Sequence, residues 1–90
     1  MIVTICDVTD FDKFLRTFSG VGCTKRREHG CRGAHVVRDP DNASRVWVFF
    51  DWAQEDYEAF LADPEIPAIA RNLALQSPPV KVEPVAQYDA

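Results

Sequence analysis

Arg45-Val46-Trp47-Val48-Phe49-Phe50-Asp51-Trp52 runs directly into Ala53-Gln54-Glu55-Asp56-Tyr57-Glu58-Ala59-Phe60-Leu61, and the two halves obey different periods. The first is dense in β-branched and aromatic side chains, which suit the pleated, packed surface of a strand. In the second, Trp52, Tyr57, Phe60 and Leu61 fall near one helical face, with Gln54, Glu55, Asp56 and Glu58 mostly elsewhere. The strand is apolar on both faces: Val46, Val48 and Phe50 point one way, Trp47 and Phe49 the other. Such a strand has to be covered twice.

Upstream of it, Ala34 to Arg38 is a second strand, joined to Arg45–Trp52 by the turn-forming run Asp39-Pro40-Asp41-Asn42-Ala43-Ser44. An antiparallel hairpin follows. With Arg38 across from Arg45, Val37 faces Val46 and His35 faces Val48; a slip of one residue reverses those faces. Ile2 to Val8 is the first strand, with Val3 and Ile5 on one face and Ile2, Thr4, Cys6 and Val8 on the other. Thr9 or Asp10 can cap the next helix, with Asp12 favourably placed in its first turn. Phe11, Phe14, Leu15 and Phe18 follow at i, i+3, i+4 and i+7 and form its apolar face. Gly20 and Gly22 interrupt this pattern, and a second helical turn resumes through Cys23 to Glu28. Gly20-x-Gly22 has neither the third glycine nor the preceding strand that a dinucleotide fingerprint needs.

Downstream, Asp63-Pro64 ends the Tyr57 helix, because the residue before proline is pushed out of helical geometry. Glu65 to Leu75 restarts a helix with Ile66, Ile69, Ala70 and Leu73 on one side and Pro67 near its start. Ser77-Pro78-Pro79 is a stiff connector to a last strand, Val80 to Val85.

Ninety residues are read as one domain, 1–90, whose modest core a subunit interface would enlarge. A hydrophobic share of 47% is that of a folded protein. Ten basic against fourteen acidic residues give a net charge of -4, which argues against a nucleic-acid binder. The short basic cluster Lys25-Arg26-Arg27 with Arg32 is either a solvated surface or an attractor for an anionic substrate or partner. Without a basic region followed by a long apolar run at its start, the chain is expected to carry no signal peptide or membrane span and to be cytoplasmic. Three cysteines suit free thiols better than a disulfide framework. Cys23, His29, Cys31 and His35 lack the short paired steps that deliver two ligands from one turn, so no metal site is expected.

The element order is β-α-β-β-α-β: an α+β, ferredoxin-like fold in which a four-stranded antiparallel sheet carries its helices on one face. One subunit then covers half of each doubly apolar strand. The expected cover for the other half is a second copy packed sheet to sheet, a homodimer with Trp47 and Phe49 toward the partner and Val46, Val48 and Phe50 toward the helices.

In the strand-helix opening, the Asp39-Pro40-Asp41 turn, and a hydrophobic strand ending in Asp51-Trp52 before an acidic helix with Glu58-Ala59-Phe60, the chain resembles the dimeric α/β-barrel superfamily. Within it, the resemblance is to antibiotic-biosynthesis-monooxygenase-like domains. That resemblance implies a pocket between helices and sheet, an aromatic or polyketide-like small-molecule substrate, and monooxygenase or related cyclase or isomerase chemistry that uses no cofactor. Trp52 matches a tryptophan that lines the pocket in several members; its indole can stack on a flat substrate and offer one N–H, or it can be a core plug at the strand-helix corner. Two positions depart from the family pattern. Phe60 stands where many members carry a helix histidine, so haem degradation is not expected, and Val48 replaces a polar strand residue of some monooxygenases. Val48, Phe14, Phe60 and Trp52 are the expected substrate contacts. For proton handling, His35 is the candidate general base and Tyr57 the candidate oxyanion partner, while Cys6 is a packing residue. His35 has an alternative reading as an exposed or hydrogen-bonded strand residue, Tyr57 as an interface tyrosine with its hydroxyl at the rim, and the whole chain as a ligand-binding or structural dimer without chemistry.

Overall fold

A computed structural model describes all of residues 1–90. Its elements are β1 (Ile2–Asp7), α1 (Phe11–Ser19), α2 (Val21–Glu28), β2 (Gly33–Asp39), β3 (Asn42–Asp51), α3 (Gln54–Leu61), α4 (Ile66–Arg71) and β4 (Val80–Val82). The strands form one antiparallel sheet in the order β2-β3-β1-β4, the ferredoxin-like arrangement, with each helical arm split in two.

Local chemistry explains the splits. Asp10 caps α1, its carboxylate accepting from the Lys13 N–H at 3.0 Å. At the junction with α2, a Cβ on Gly22 would lie 2.9 Å from the Thr17 carbonyl oxygen, so only glycine lets the two helices approach this closely. Beyond α2, Gly30 turns the chain at φ +82, and the Cys31 N–H donates back to the Arg26 carbonyl at 3.0 Å. This turn points the His29 carbonyl inward and starts β2.

The core lies between the sheet and the helices. Val46, Val48 and Phe50 of β3 pack there with Ile2 and Cys6 of β1, Phe14 of α1, Trp52 and Tyr57. The opposite face of the sheet carries no helix. There Trp47 is 40% exposed and Val37 45%, while Phe49 and Ile5 are partly exposed. The alternation expected for β3 is therefore the one observed.

The hairpin register is corrected by one residue. Arg38 pairs with Val46, Val37 with Trp47, and His35 with Phe49. The turn closes tightly around Pro40-Asp41, where Asp39 pairs with Asn42 and the Asp39 carboxylate accepts from the Asp41 N–H. Ala43, Ser44 and Arg45 then step out of the β2 ladder, and the Asn42 side-chain oxygen accepts from both the N–H and the hydroxyl of Ser44. The Ser44 carbonyl is satisfied on the other side by the Val8 N–H at 2.8 Å. This irregularity, invisible to a count of turn residues, places His35 and Val37 on the helix-free face.

Two elements are shorter than expected. Instead of running to Leu75, α4 stops at Arg71, and Ala74, at φ 57, turns the chain so that Leu75 bridges Val8. The last strand ends at Val82, two residues before Pro84, which has no N–H for the ladder.

Candidate functional site

Side chains from every layer converge on a cavity of about 150 Å³ between the sheet and the helices. The sheet contributes Thr4, Cys6, Val48 and Phe50, and the end of β3 adds Trp52. Opposite them stand Phe14 and Phe18 of α1, Tyr57 and Phe60 of α3, and Ile66, Ile69 and Ala70 of α4.

Aromatic rings make the walls. Phe14 and Phe18, one helical turn apart, stack with centroids 5.4 Å apart, and Phe18 reaches Phe50 at 6.1 Å. Trp52 meets Tyr57 edge-on at 5.3 Å and Phe60 at 4.9 Å. Edge-to-face pairs of this kind fix ring orientation and add about 0.5–1.5 kcal/mol each beyond area burial. The Trp52 indole N–H is already committed: it donates to the His29 carbonyl at 2.8 Å. The donor expected for a substrate is thus spent on closing the end of α2, and Trp52 presents ring surface alone.

The sequence-derived residues divide cleanly. Trp52, Val48, Phe14, Phe60 and Tyr57 all line the cavity. His35 does not; its register partner Phe49 puts it, exposed, on the other face of the sheet. The titratable groups that do line the cavity are Cys6, Tyr57 and Arg26. Burial, helped by the charge of Asp7, pushes the Cys6 thiol up to about 11, so it is protonated near neutral pH. Burial also raises the Tyr57 phenol above its ordinary value. Tyr57 is therefore a hydroxyl donor and not a base. No enclosed side-chain polar atom lacks a partner.

Arg26 is the residue that sequence reasoning passed over. It belongs to a cluster with a surface reading, yet it is 9% exposed, and its guanidinium carbon lies 3.7 Å from the centroid of Phe18. Desolvation lowers its pKa. The available signal was spacing: Gly22, Lys25 and Arg26 at i, i+3 and i+4 share the buried face of α2.

Neighbouring Lys25, also buried, is enclosed by carboxylates: Glu28 at 2.8 Å, Asp63 at 2.9 Å, and Glu65. Asp63 also accepts from His29 Nε2 at 2.9 Å. This network ties the end of α2 to the α3–α4 connection, whose flanking residues Phe60, Leu61 and Ile66 form one wall of the cavity. It also fills with an ammonium group the space among Glu28, Asp63 and Glu65. The His29 ring meets Phe60 edge-on at 5.8 Å, bracing the same wall.

The residues do not fit haem. Phe60 has no lone pair for iron and is packed against Trp52, and a cavity of about 150 Å³ matches a single aromatic ring, the size class that holds benzene.

The family model described as antibiotic biosynthesis monooxygenase matches residues 9–72, and the chain belongs to that family. No curated protein matches it in sequence. Among solved structures, it is similar to SnoaB, a cofactor-independent oxygenase from Streptomyces nogalater, in a mutant form. That match has 16% identity and a TM-score of 0.73, and covers 99% of this chain and 95% of the other. A Nitrosomonas europaea protein named for the same family matches at 18% identity and TM-score 0.66, over 98% and 91% of the two chains. An uncharacterized NIPSNAP domain protein from Burkholderia xenovorans matches at 18% identity and TM-score 0.63, over the full length of both. These likenesses establish the fold. No helix of the chain is long and apolar enough to cross a membrane.

Proposed function

We propose that the protein is a cofactor-independent monooxygenase of small aromatic, polyketide-type molecules, acting as a homodimer. The observation that carries this reading is the ring-lined cavity, sized for one aromatic ring and walled by Phe14, Val48, Trp52, Tyr57 and Phe60. Family membership supports the oxygenase chemistry, and SnoaB, a cofactor-independent oxygenase, gives a precedent on this fold. Without a cofactor, the substrate itself must supply the electrons: one oxygen atom of O2 enters the ring, and the other leaves as water with two hydrogens from the substrate. Trp52 and Phe60 hold the ring plane, and Tyr57 donates to the oxygen that gains charge. His35 has no part in this site. The dimer is supported by the helix-free face with Trp47, Val37 and Phe49, an apolar surface that a second copy covers.

The test is oxygen uptake with a panel of hydroxylated aromatics, coupled to mass spectrometry under labelled O2. The expected product gains one labelled oxygen and loses two hydrogens. A second reading, a ligand-binding dimer without turnover, is favoured by the absence of a general base among the cavity residues. Tight aromatic binding with no oxygen uptake across the panel would establish that second reading over the first.

A further inference from the structure

Arg26 stands between two spaces. It lines the ring-walled cavity, and, with Phe18, it also lines an adjoining cleft of about 290 Å³ that carries Arg27, Arg32, Cys23 and Cys31. No carboxylate reaches it: the ion pairs of the chain engage Lys25, His29, Arg32 and Arg45. Arg27 is exposed and unpaired as well, whereas Arg32 binds Asp51 at 3.0 Å on the surface.

Burying a guanidinium with no counter-charge is costly, and proteins ordinarily pair such groups or place them in contact with water. The immediate neighbour, Lys25, shows what a paired cation looks like in this fold, with three carboxylates around it. Arg26 has instead the face of Phe18, which favours a cation but leaves its in-plane N–H groups without an anionic acceptor. Those N–H groups form a planar fork, the shape that matches a carboxylate. The cavity behind it takes one aromatic ring.

We propose that Arg26 is the anion anchor of the site, and that the physiological ligand is an aromatic carboxylate whose ring enters the cavity while its carboxylate meets Arg26 at the cleft. This rests on the aromatic-cavity reading above and adds the substrate's charge to it. Arg27, exposed and unpaired at the cleft, supplies positive potential that draws the acid in.

The test compares an acid with its neutral counterpart. Phenylacetate and phenylethanol, then hydrocinnamate and hydrocinnamyl alcohol, are titrated into the protein by calorimetry. The acids should bind about ten- to a hundredfold more tightly, the range of a hydrogen bond to a charged group. Arg26→Met, which keeps a flexible apolar chain against Phe18, should erase that preference, so that acid and alcohol bind alike; Arg26→Lys should retain part of it. Circular dichroism confirms that the variants are folded. Equal binding of acid and alcohol by the wild type, or a preference that survives Arg26→Met, overturns the anchor and leaves the aromatic cavity standing. A preference lost only in Arg27→Gln or Arg32→Gln moves the anchor to the surface and overturns its assignment to Arg26. Binding of neither compound overturns the cavity reading and this inference together.

Discussion

Replacing Trp52 with phenylalanine should be far more damaging than a change from one aromatic residue to another suggests. The indole N–H is the side-chain donor to the His29 carbonyl, at 2.8 Å, and phenylalanine leaves that carbonyl unpaired at the buried end of α2. A lost hydrogen bond is worth about 1 kcal/mol, and an orphaned buried acceptor costs about 1–3 kcal/mol. The second indole ring also supports the edge contacts to Phe60 and Tyr57, so the expected loss is about 2–4 kcal/mol. For a chain of this length, that lowers the melting temperature on the order of 10 °C or more. Urea unfolding followed by far-ultraviolet circular dichroism measures it, at one fixed protein concentration because assembly would couple to stability. Phe60→Leu is the control: it removes the edge contacts to Trp52 and His29, about 0.5–1.5 kcal/mol each, without touching the bond, and should cost less than Trp52→Phe. If Trp52→Phe costs no more than Phe60→Leu, the indole is ordinary packing and the bond to His29 does not hold the wall.

Trp47→Glu should leave monomer or aggregate by light scattering, because it sets a charge on the helix-free face; a soluble, well-folded dimer would remove that face as the interface. Ala74→Gly should stabilise the protein by about 0.5–1 kcal/mol: the left-handed conformation at φ 57 costs a residue with a Cβ about 1–2 kcal/mol, and glycine's greater unfolded-state freedom returns only part of this. Unchanged or lower stability in a denaturant melt would show that Ala74 is not strained. The His29 N–H, the Glu65 N–H and Lys25 hold the Asp63 carboxyl well below its ordinary value of 3.8. Its contribution is therefore fully present above about pH 4 and fades as the pH falls further, since the unfolded chain takes up the proton first. Asp63→Asn should be less stable at pH 7 and show a shallower loss in acid; an acid-unfolding curve of unchanged slope would refute the assignment.

The sheet and the layering were legible because β3 states its two faces outright, in Val46, Val48 and Phe50 against Trp47 and Phe49. The inward faces that carry Phe14, Val48, Tyr57 and Phe60 follow from the same periodicities, whereas a pocket on those faces, with Trp52 in its lining, was what the family resemblance implied. His35 escaped because hairpin register rests on the Asn42–Ser44 hydrogen bonds, and a one-residue shift exchanges the two faces of β2. Arg26 escaped because adjacent basic residues look alike in a sequence. Burial separates Arg26 from Arg27, and that depends on the tight α1–α2 junction at Gly22. The commitment of the Trp52 N–H depends in the same way on the turn at Gly30.

An arginine buried without a counter-charge also makes the molecule sensitive to what surrounds it. Any anion that seats against Arg26 binds the folded chain and not the unfolded one, so its binding free energy is added wholly to the fold. At a hundred times its dissociation constant, such a compound contributes about 2.7 kcal/mol, enough to move the melting curve of a 90-residue chain by on the order of 10 °C. The protein is thus its own reporter, and mixtures of small acids can be ranked by melting curves before any reaction is known. In a cell the same coupling reaches turnover, because a smaller unfolded fraction means slower degradation. The steady-state amount of this chain would then follow the supply of its ligand.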